Sequence, residues 1–217
     1  MNLGIVGTGA MGQTLLTCAK ADTDIERIFM IEPMQKESWP KTRVDLLIDF
    51  SHPQAICAIY DYCRACGGNI PVVLATTGYS KEDEEIIRML QKICPVDRRT
   101  NFSQGIAAMN ELAELGAARL GDKADIRVVE AHHTKKADAP SGTAKSLGHH
   151  LGFPETDYPA YIASLRMGNV FGQHTVYFAM EDEVLEIRHT AYSKRIFALG
   201  ALEAGKQMVQ ENMKQEC

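Results

Sequence analysis

Residues 1–20, MNLGIVGTGAMGQTLLTCAK, decide the fold. An apolar run, LGIV, leads into Gly7-Thr8-Gly9-Ala10-Met11-Gly12, and a helical pattern follows. This is strand, glycine turn and helix. A bare GxGxxG is weak evidence, but these flanks give each glycine a reason. Gly7 permits the tight turn, Gly9 lets a backbone approach a pyrophosphate, and Gly12 lets helix and strand pack closely. The helix start then offers free N–H groups and a positive dipole end to phosphate. Glu32 follows Gly12 by twenty residues, at the end of the next apolar run. An acid there binds the ribose hydroxyls of an adenosine. A glycine turn that only packs is the plainer reading, and the combination favours a dinucleotide.

Working outward, IERIFMIE (25–32), VDLLIDFS (44–51) and PVVLATTG (71–78) read as further strands. They are apolar almost throughout, as parallel strands covered on both faces are. PQAICAIYDYCRACGG (53–68) and KEDEEIIRMLQKIC (81–94) read as helices, the first closed by Gly67-Gly68, the second opened by acids that complement its dipole. The alternation predicts a Rossmann-type, doubly wound parallel sheet over residues 1–102. Beyond Phe102 the pattern changes. QGIAAMNELAELGAARL (104–120) is a helix, ADIRVVEA (124–131) a strand and KSLGHHLG (145–152) a short helix. Residues 158–190 read as antiparallel β in YIASLRMG, HTVYFAM and VLEIRHTA. The second domain, 103–195, is therefore predicted as a smaller α+β unit with a mixed or antiparallel sheet. The last helix, 196–217, is expected to pack back on the first domain.

The chain has 217 residues, 45% hydrophobic and 24% charged, with a net charge of −5. Those values suit a soluble globular protein and argue against a nucleic-acid surface. No apolar run spans a membrane and no secretory signal opens the chain, so a cytoplasmic protein is expected. Six cysteines include a CxxC at Cys63 and Cys66. No second pair stands at zinc-site spacing, so buried, reduced thiols are the expected state.

Glu32 also bears on the cofactor. Its carboxylate repels a 2′-phosphate, which predicts a preference for NADH; Lys36 nearby leaves NADPH possible. Ala75-Thr76-Thr77 follows a strand at the edge where open α/β sheets bind ligands. Thr76 and Thr77 would either hydrogen-bond the cofactor or form a capping turn before SKEDEE. Thr100-Asn101-Phe102 carries the same pair of readings.

The stretch AHHTKKADAPSGTA (131–144) gathers two histidines, two lysines and an aspartate ahead of Pro140-Ser141-Gly142-Thr143. The preceding strand delivers Glu130, His132 and His133 to its carboxyl end. Ser141 suits a helix N-cap, and Gly142 allows close backbone approach. A helix start of this kind holds carboxylate or phosphate, and Lys135 or Lys136 adds a full charge. A histidine alongside supplies a proton near neutral pH. The residues thus imply a small anion beside a dinucleotide. A solvated lysine pair and structural histidines are the bland alternative, which applies to Lys135 and His149-His150. No metal is expected, because the histidines lack the i, i+4 pairing of a helical zinc site.

EAHHTKKADAPSGTA together with GTGAMG resembles the 4-hydroxy-tetrahydrodipicolinate (dihydrodipicolinate) reductases of bacterial lysine biosynthesis. Every fixed position of E-x-H-H-x-x-K-x-D-x-P-S-G-T-A is matched. IDFSHP, LATTGYS, TNFSQG, SLRMGNVFGQHTV and IRHTAYSKRIFALGA extend the likeness along nearly the whole chain. The resemblance implies NAD(P)H-dependent reduction of a cyclic dicarboxylate. It assigns proton donation to His132 and Lys136, and substrate carboxylate binding to His133, Gly142 and Thr143. It places cofactor contacts at Gly7 through Gly12, Glu32, Ala75, Thr76, Thr77, Thr100, Asn101 and Phe102. Ala75 departs from the glycine usual there. A homotetramer built through the second domain's sheet is also implied. The chain is shorter than many members around 35–45 and 152–162. Two competing readings are another Rossmann reductase of an imino or amino acid, and a non-enzymatic NADH-sensing protein.

Overall fold

A computed structural model describes residues 1–215 and divides into two compact units. One holds Met1–Phe102 and the terminal segment from Phe197; the other is Ser103–Ile196. Among the described residues, no helix is long and apolar enough to cross a membrane.

The first unit contains a parallel sheet of five strands: β1 (Asn2–Val6), β2 (Arg27–Ile31), β3 (Leu46–Asp49), β4 (Val72–Leu74) and β5 (Val96–Arg98). Their spatial order is β2-β1-β3-β4-β5. Alternate residues of each strand serve opposite faces. Leu3, Ile5, Leu46, Ile48 and Val73 face α1 (Ala10–Lys20) and the terminal helix α7 (Arg195–Gln215), through Leu15, Cys18, Ala198, Ala201 and Leu202. Val6, Ile31, Leu47, Val72 and Leu74 face α2 (Ala55–Ala65) and α3 (Lys81–Gln91), through Ile56, Ile59, Cys63, Ile87 and Leu90. Burial on both sides explains the unbroken apolar runs. Ser80 caps α3 in a reciprocal capping box with Asp83. Strand β5 is absent from the sequence-based reading because a three-residue edge strand, VDR, has no apolar alternation to announce it.

The second unit is a four-stranded sheet ordered β7-β6-β8-β9, built from β6 (Asp125–His132), β7 (Ile162–Arg166), β8 (Gly172–Ala179) and β9 (Val184–Ala191). Strands β8 and β9 are antiparallel, as read from the sequence, but β7 runs parallel to β6. The antiparallel expectation for 158–190 is corrected there. The chain leaves β6, forms α5 (Gly142–His150) and α6 (Tyr158–Tyr161), and returns alongside β6, and such a crossover makes parallel neighbours. Residues 158–161 are accordingly helical rather than extended. Helix α5 begins at Gly142, as the reading of Ser141 as its N-cap expects: Ser141 Oγ accepts the Ala144 N–H at 3.2 Å. One face of the sheet packs Val128, Ile162, Val176 and Phe178 against Ile106 and Met109 of α4 (Gln104–Leu120) and Ala144 and Leu147 of α5.

Two thiols also depart from expectation. Cys57 is exposed because α2 turns it away from the stripe formed by Ile56, Ile59 and Cys63, whereas Cys66, the C-cap of α2, is half-buried against that same cluster. Cys18, Cys63 and Cys94 are buried and free. Cys217 and Glu216, the end of the expected 196–217 helix, lie outside the described residues.

Candidate functional site

In the first unit the glycine turn has the geometry its sequence demands. Gly7 has φ +105°, and a Cβ there would stand 2.6 Å from the Phe50 carbonyl oxygen. A Cβ on Gly12 would stand 1.9 Å from the Gly7 carbonyl oxygen, so helix α1 can leave the turn this tightly only without one. Gly9 is the N-cap of α1, no side chain caps the helix, and a Cβ at Gly9 would meet nothing within 4 Å. Ala10, Met11 and Gly12 form the first turn, whose N–H groups have no intrahelical acceptor. Uncapped donors facing open space suit a pyrophosphate. Thr8 Oγ1 donates to Glu32 Oε2 at 2.8 Å, tying the turn to the acid one residue past β2. Lys36 is exposed on the short 3-10 turn that follows.

The other threonines separate. Thr77 and Thr100 are exposed, while Thr76 is buried beside Ala75. Its Oγ1 accepts the Ser51 N–H at 3.1 Å, a bond shared with Asp49. Asp49, at the end of β3, is 1% exposed. Burial raises its carboxyl above the ordinary range, against hydrogen bonds from Ser51, Thr76 and Tyr79. Phe102 is buried, with the Arg99 guanidinium 5.5 Å from its ring centroid, and Asn101 beside it is half-buried.

In the second unit, the end of β6 brings a row of polar side chains onto the helix-covered face. The ladder aligns Ser164 of β7, Glu130 of β6, His174 of β8 and His189 of β9 in one rung. His132 and Arg166 form the next pair. Glu130 is fully buried and bridges two partners. One oxygen contacts His132 Nδ1, and the other lies 2.9 Å from Arg166 Nη1. Arg166 Nη2 donates to the Asp138 carbonyl, and Asp138 Oδ1 pairs with Lys136 Nζ at 2.7 Å. Both residues assigned to proton donation therefore belong to one chain of charges: His132, Glu130, Arg166, Asp138, Lys136.

These contacts set the protonation states. Burial pushes the Glu130 carboxyl up, but Ser164, Arg166 and His132 outweigh it and hold it below the ordinary range. Burial pulls the His132 imidazole below its usual value, Glu130 opposes that, and the charges of Lys136 and Arg166 reinforce it. His174 is pushed down to about 4, first by burial and then by His132. At neutral pH the free protein thus holds His174 neutral.

Ser141, the cap of α5, lies 3.3 Å from His174 Nε2, which joins the helix start to this row. Gly142 is exposed, with nothing within 4 Å of a Cβ, and Thr143 is half-buried on the first turn. His133 is half-buried just past β6. Lys135 is exposed, and His149-His150 sits in the last turn of α5, where His150 contacts Glu114 at 3.4 Å. A cis peptide joins Ala139 to Pro140.

Sequence reasoning missed Arg166 and His174, and gave Glu130 no role. Glu130 did leave a signal, an acid on the inward phase of VVEAH. Arg166 left none, because its partner follows from the parallel register of β7. Glu130, His132 and His174 also place a carboxylate and two imidazoles within 4.8 Å, the donor types of a metal centre. A guanidinium already holds one Glu130 oxygen and an imidazole the other, so the arrangement serves acid–base chemistry better than a second cation.

Family models described as dihydrodipicolinate reductase, N-terminus and C-terminus, match residues 1–102 and 105–216. The 4-hydroxy-tetrahydrodipicolinate reductase of Alkaliphilus metalliredigens is 36% identical over 220 residues, covering 94% of this chain and 91% of the relative. The enzyme of the same name from Thermosipho africanus is 37% identical over 209 residues, covering 95% and 90%. Among solved structures, a dipicolinate-bound dihydrodipicolinate reductase from Paenisporosarcina sp. TG-14 superposes with a TM-score of 0.72. At 21% identity over 97% of this chain and 95% of that one, it attests the fold.

Proposed function

The chain belongs to the dihydrodipicolinate reductase family, and from that premise we propose that it reduces 4-hydroxy-tetrahydrodipicolinate to tetrahydrodipicolinate in diaminopimelate and lysine synthesis. The observation that carries the reading is the linked set His132–Glu130–Arg166–Asp138–Lys136 beside the Ser141-capped start of α5. It joins proton-bearing groups to an anion-binding helix start.

Loss of the ring hydroxyl with a neighbouring ring hydrogen, as water, leaves a double bond to which one hydride and one proton then add, so the net change exchanges a ring hydroxyl for hydrogen. A reduced nicotinamide, when bound, supplies the hydride. Gly7, Thr8, Gly9, Ala10, Met11 and Gly12 would hold its pyrophosphate and Glu32 its ribose. Ala75, Thr76, Thr77, Thr100, Asn101 and Phe102 would line the rest, Thr76 chiefly by shaping the turn around Asp49. With Glu32 on the ribose, NADH is the preferred form and NADPH the weaker one. His133, Gly142 and Thr143 bind the substrate's carboxylates. Burial disfavours the charged form of His132 in the free protein, whereas an arriving dianion favours it. His132 thereby takes up a proton as substrate binds and, with Lys136, delivers it to the ring after hydride arrives.

The first unit acts as the dinucleotide-binding domain and the second as the substrate-binding and assembly domain. The homotetramer would use the sheet face opposite the helices, where Leu165 and Val184 are 50% and 57% exposed. Light scattering on the purified protein reads that assembly. The buried free thiols fit a cytoplasmic location. The deciding experiment follows NADH absorbance with substrate generated in situ. Substrate-dependent NADH loss is expected. No turnover, with NADH binding intact by calorimetry, rejects the proposal and favours a sensor.

A further inference from the structure

Glu130 is a fully buried carboxylate that no step above uses. It lies two residues before His132 on the same strand, so both side chains project from one face of β6. An ionised carboxylate is acceptor-only, so it favours the tautomer that puts the hydrogen on the imidazole nitrogen in contact with it. Here that nitrogen is Nδ1. The other nitrogen, Nε2, stands beside Gly172, where a Cβ would come within 3.1 Å of it. Glycine leaves room at the nitrogen that remains for chemistry.

We propose that Glu130 is the positioning residue of this reduction: it holds His132 in the Nδ1–H tautomer with Nε2 available for proton transfer, and through Arg166 and Asp138 it ties Lys136 to the same network. The inference rests on the proposed reduction. Its geometric core needs no substrate: carboxylate on Nδ1, guanidinium on the second oxygen, and Lys136 held by Asp138. The groups around His132 from each packed element are Glu130 on its own strand and Arg166 on β7. His174 on β8 and His189 on β9 add two imidazoles, and Lys136 and Asp138 belong to the loop. Of these, Glu130 favours a protonated His132, while Lys136 and Arg166 oppose it. Neutralising Glu130 leaves the opposing charges unanswered.

The test is Glu130→Gln, read first by nitrogen NMR of the histidine side chains in the free protein. Wild type should show His132 as the Nδ1–H tautomer. The variant should mix tautomers and titrate lower by about one pH unit, a tenfold change in the protonated fraction above the midpoint. In steady-state kinetics, the alkaline limb of kcat should move down by the same interval, with KM for substrate little changed. An unchanged tautomer and midpoint would overturn the proposal, as would lost activity with an unshifted pH profile, which marks a merely structural residue. If Glu130→Gln does not fold, Glu130→Asp decides. Its shorter arm withdraws the carboxylate from Nδ1, and a retained pure Nδ1–H tautomer counts against the proposal. Because the NMR readout needs no turnover, an inactive wild type with the expected tautomer would reject the reduction and leave the positioning geometry standing.

Discussion

Replacing Gly200 with alanine should loosen the terminal helix rather than strengthen it. Within a helix, alanine is favoured over glycine by about 1 kcal/mol, so propensity alone predicts stabilisation. The structure reverses the sign. A Cβ at Gly200 would stand 1.8 Å from the Phe102 carbonyl oxygen and 2.8 Å from its carbon. Ordinary contact begins near 3.4 Å, so α7 or the Phe102 backbone must retreat by roughly 1.5 Å. That retreat opens the packing of Ala198, Ala201 and Leu202 on Leu3, Ile5 and Leu46. A gap of ~0.5–1 Å already forfeits a quarter to a half of the dispersion energy there. Overpacking of this kind costs ~3 kcal/mol or more when backbone is the obstacle, leaving about 2 kcal/mol of net destabilisation. For a chain of this size Tm should fall by roughly 4–8 °C. Gly205→Ala on the same helix is the internal control. Its Cβ would meet only Leu46 side-chain atoms, the nearest at 2.7 Å, and a leucine tip can turn aside. Thermal unfolding by circular dichroism should place Gly200→Ala clearly below Gly205→Ala. Equal melting temperatures, or a Gly200→Ala variant more stable than wild type, would refute the close-approach argument.

Acid stability should report His174. Its folded value of about 4 lies below the ordinary 6.5, so its contribution is present above pH 6.5 and is lost as pH falls toward 4. Between pH 7 and 5 the loss is about 2 kcal/mol, and His174→Gln should flatten the dependence of Tm on pH over that window; an equally steep variant contradicts the assignment. His132→Gln should lower kcat with little effect on KM, and Thr143→Ala should mainly raise KM for substrate, so an unchanged kcat in the first removes the proton-transfer role. Glu32→Gln should improve the use of NADPH relative to NADH by about tenfold, since two unit charges a few ångströms apart near a surface interact by ~1–4 kcal/mol. A ratio of kcat/KM values that stays constant argues that Glu32 does not face the ribose.

Much of this protein was legible one residue at a time. The strand, glycine turn and helix of residues 1–20 follow from local sterics, because Gly7 must adopt φ +105° and Gly12 must lack a side chain. The apolar strands of the parallel sheet follow from burial on both faces. Ser141 announces its helix because a cap is a contact three residues long. The charge network at the end of β6 was not legible in the same way. Arg166 reaches Glu130 only because β7 returns parallel to β6, and His174 meets the same carboxylate only through the antiparallel register of β8. Hydrophobic periodicity marks a strand but carries no information about its direction or its neighbour. The sequence by itself determined which residues bear protons and which helix starts can hold anions. Only the tertiary structure decided that Glu130 ties His132 to Arg166, because the arginine comes from a strand more than thirty residues away.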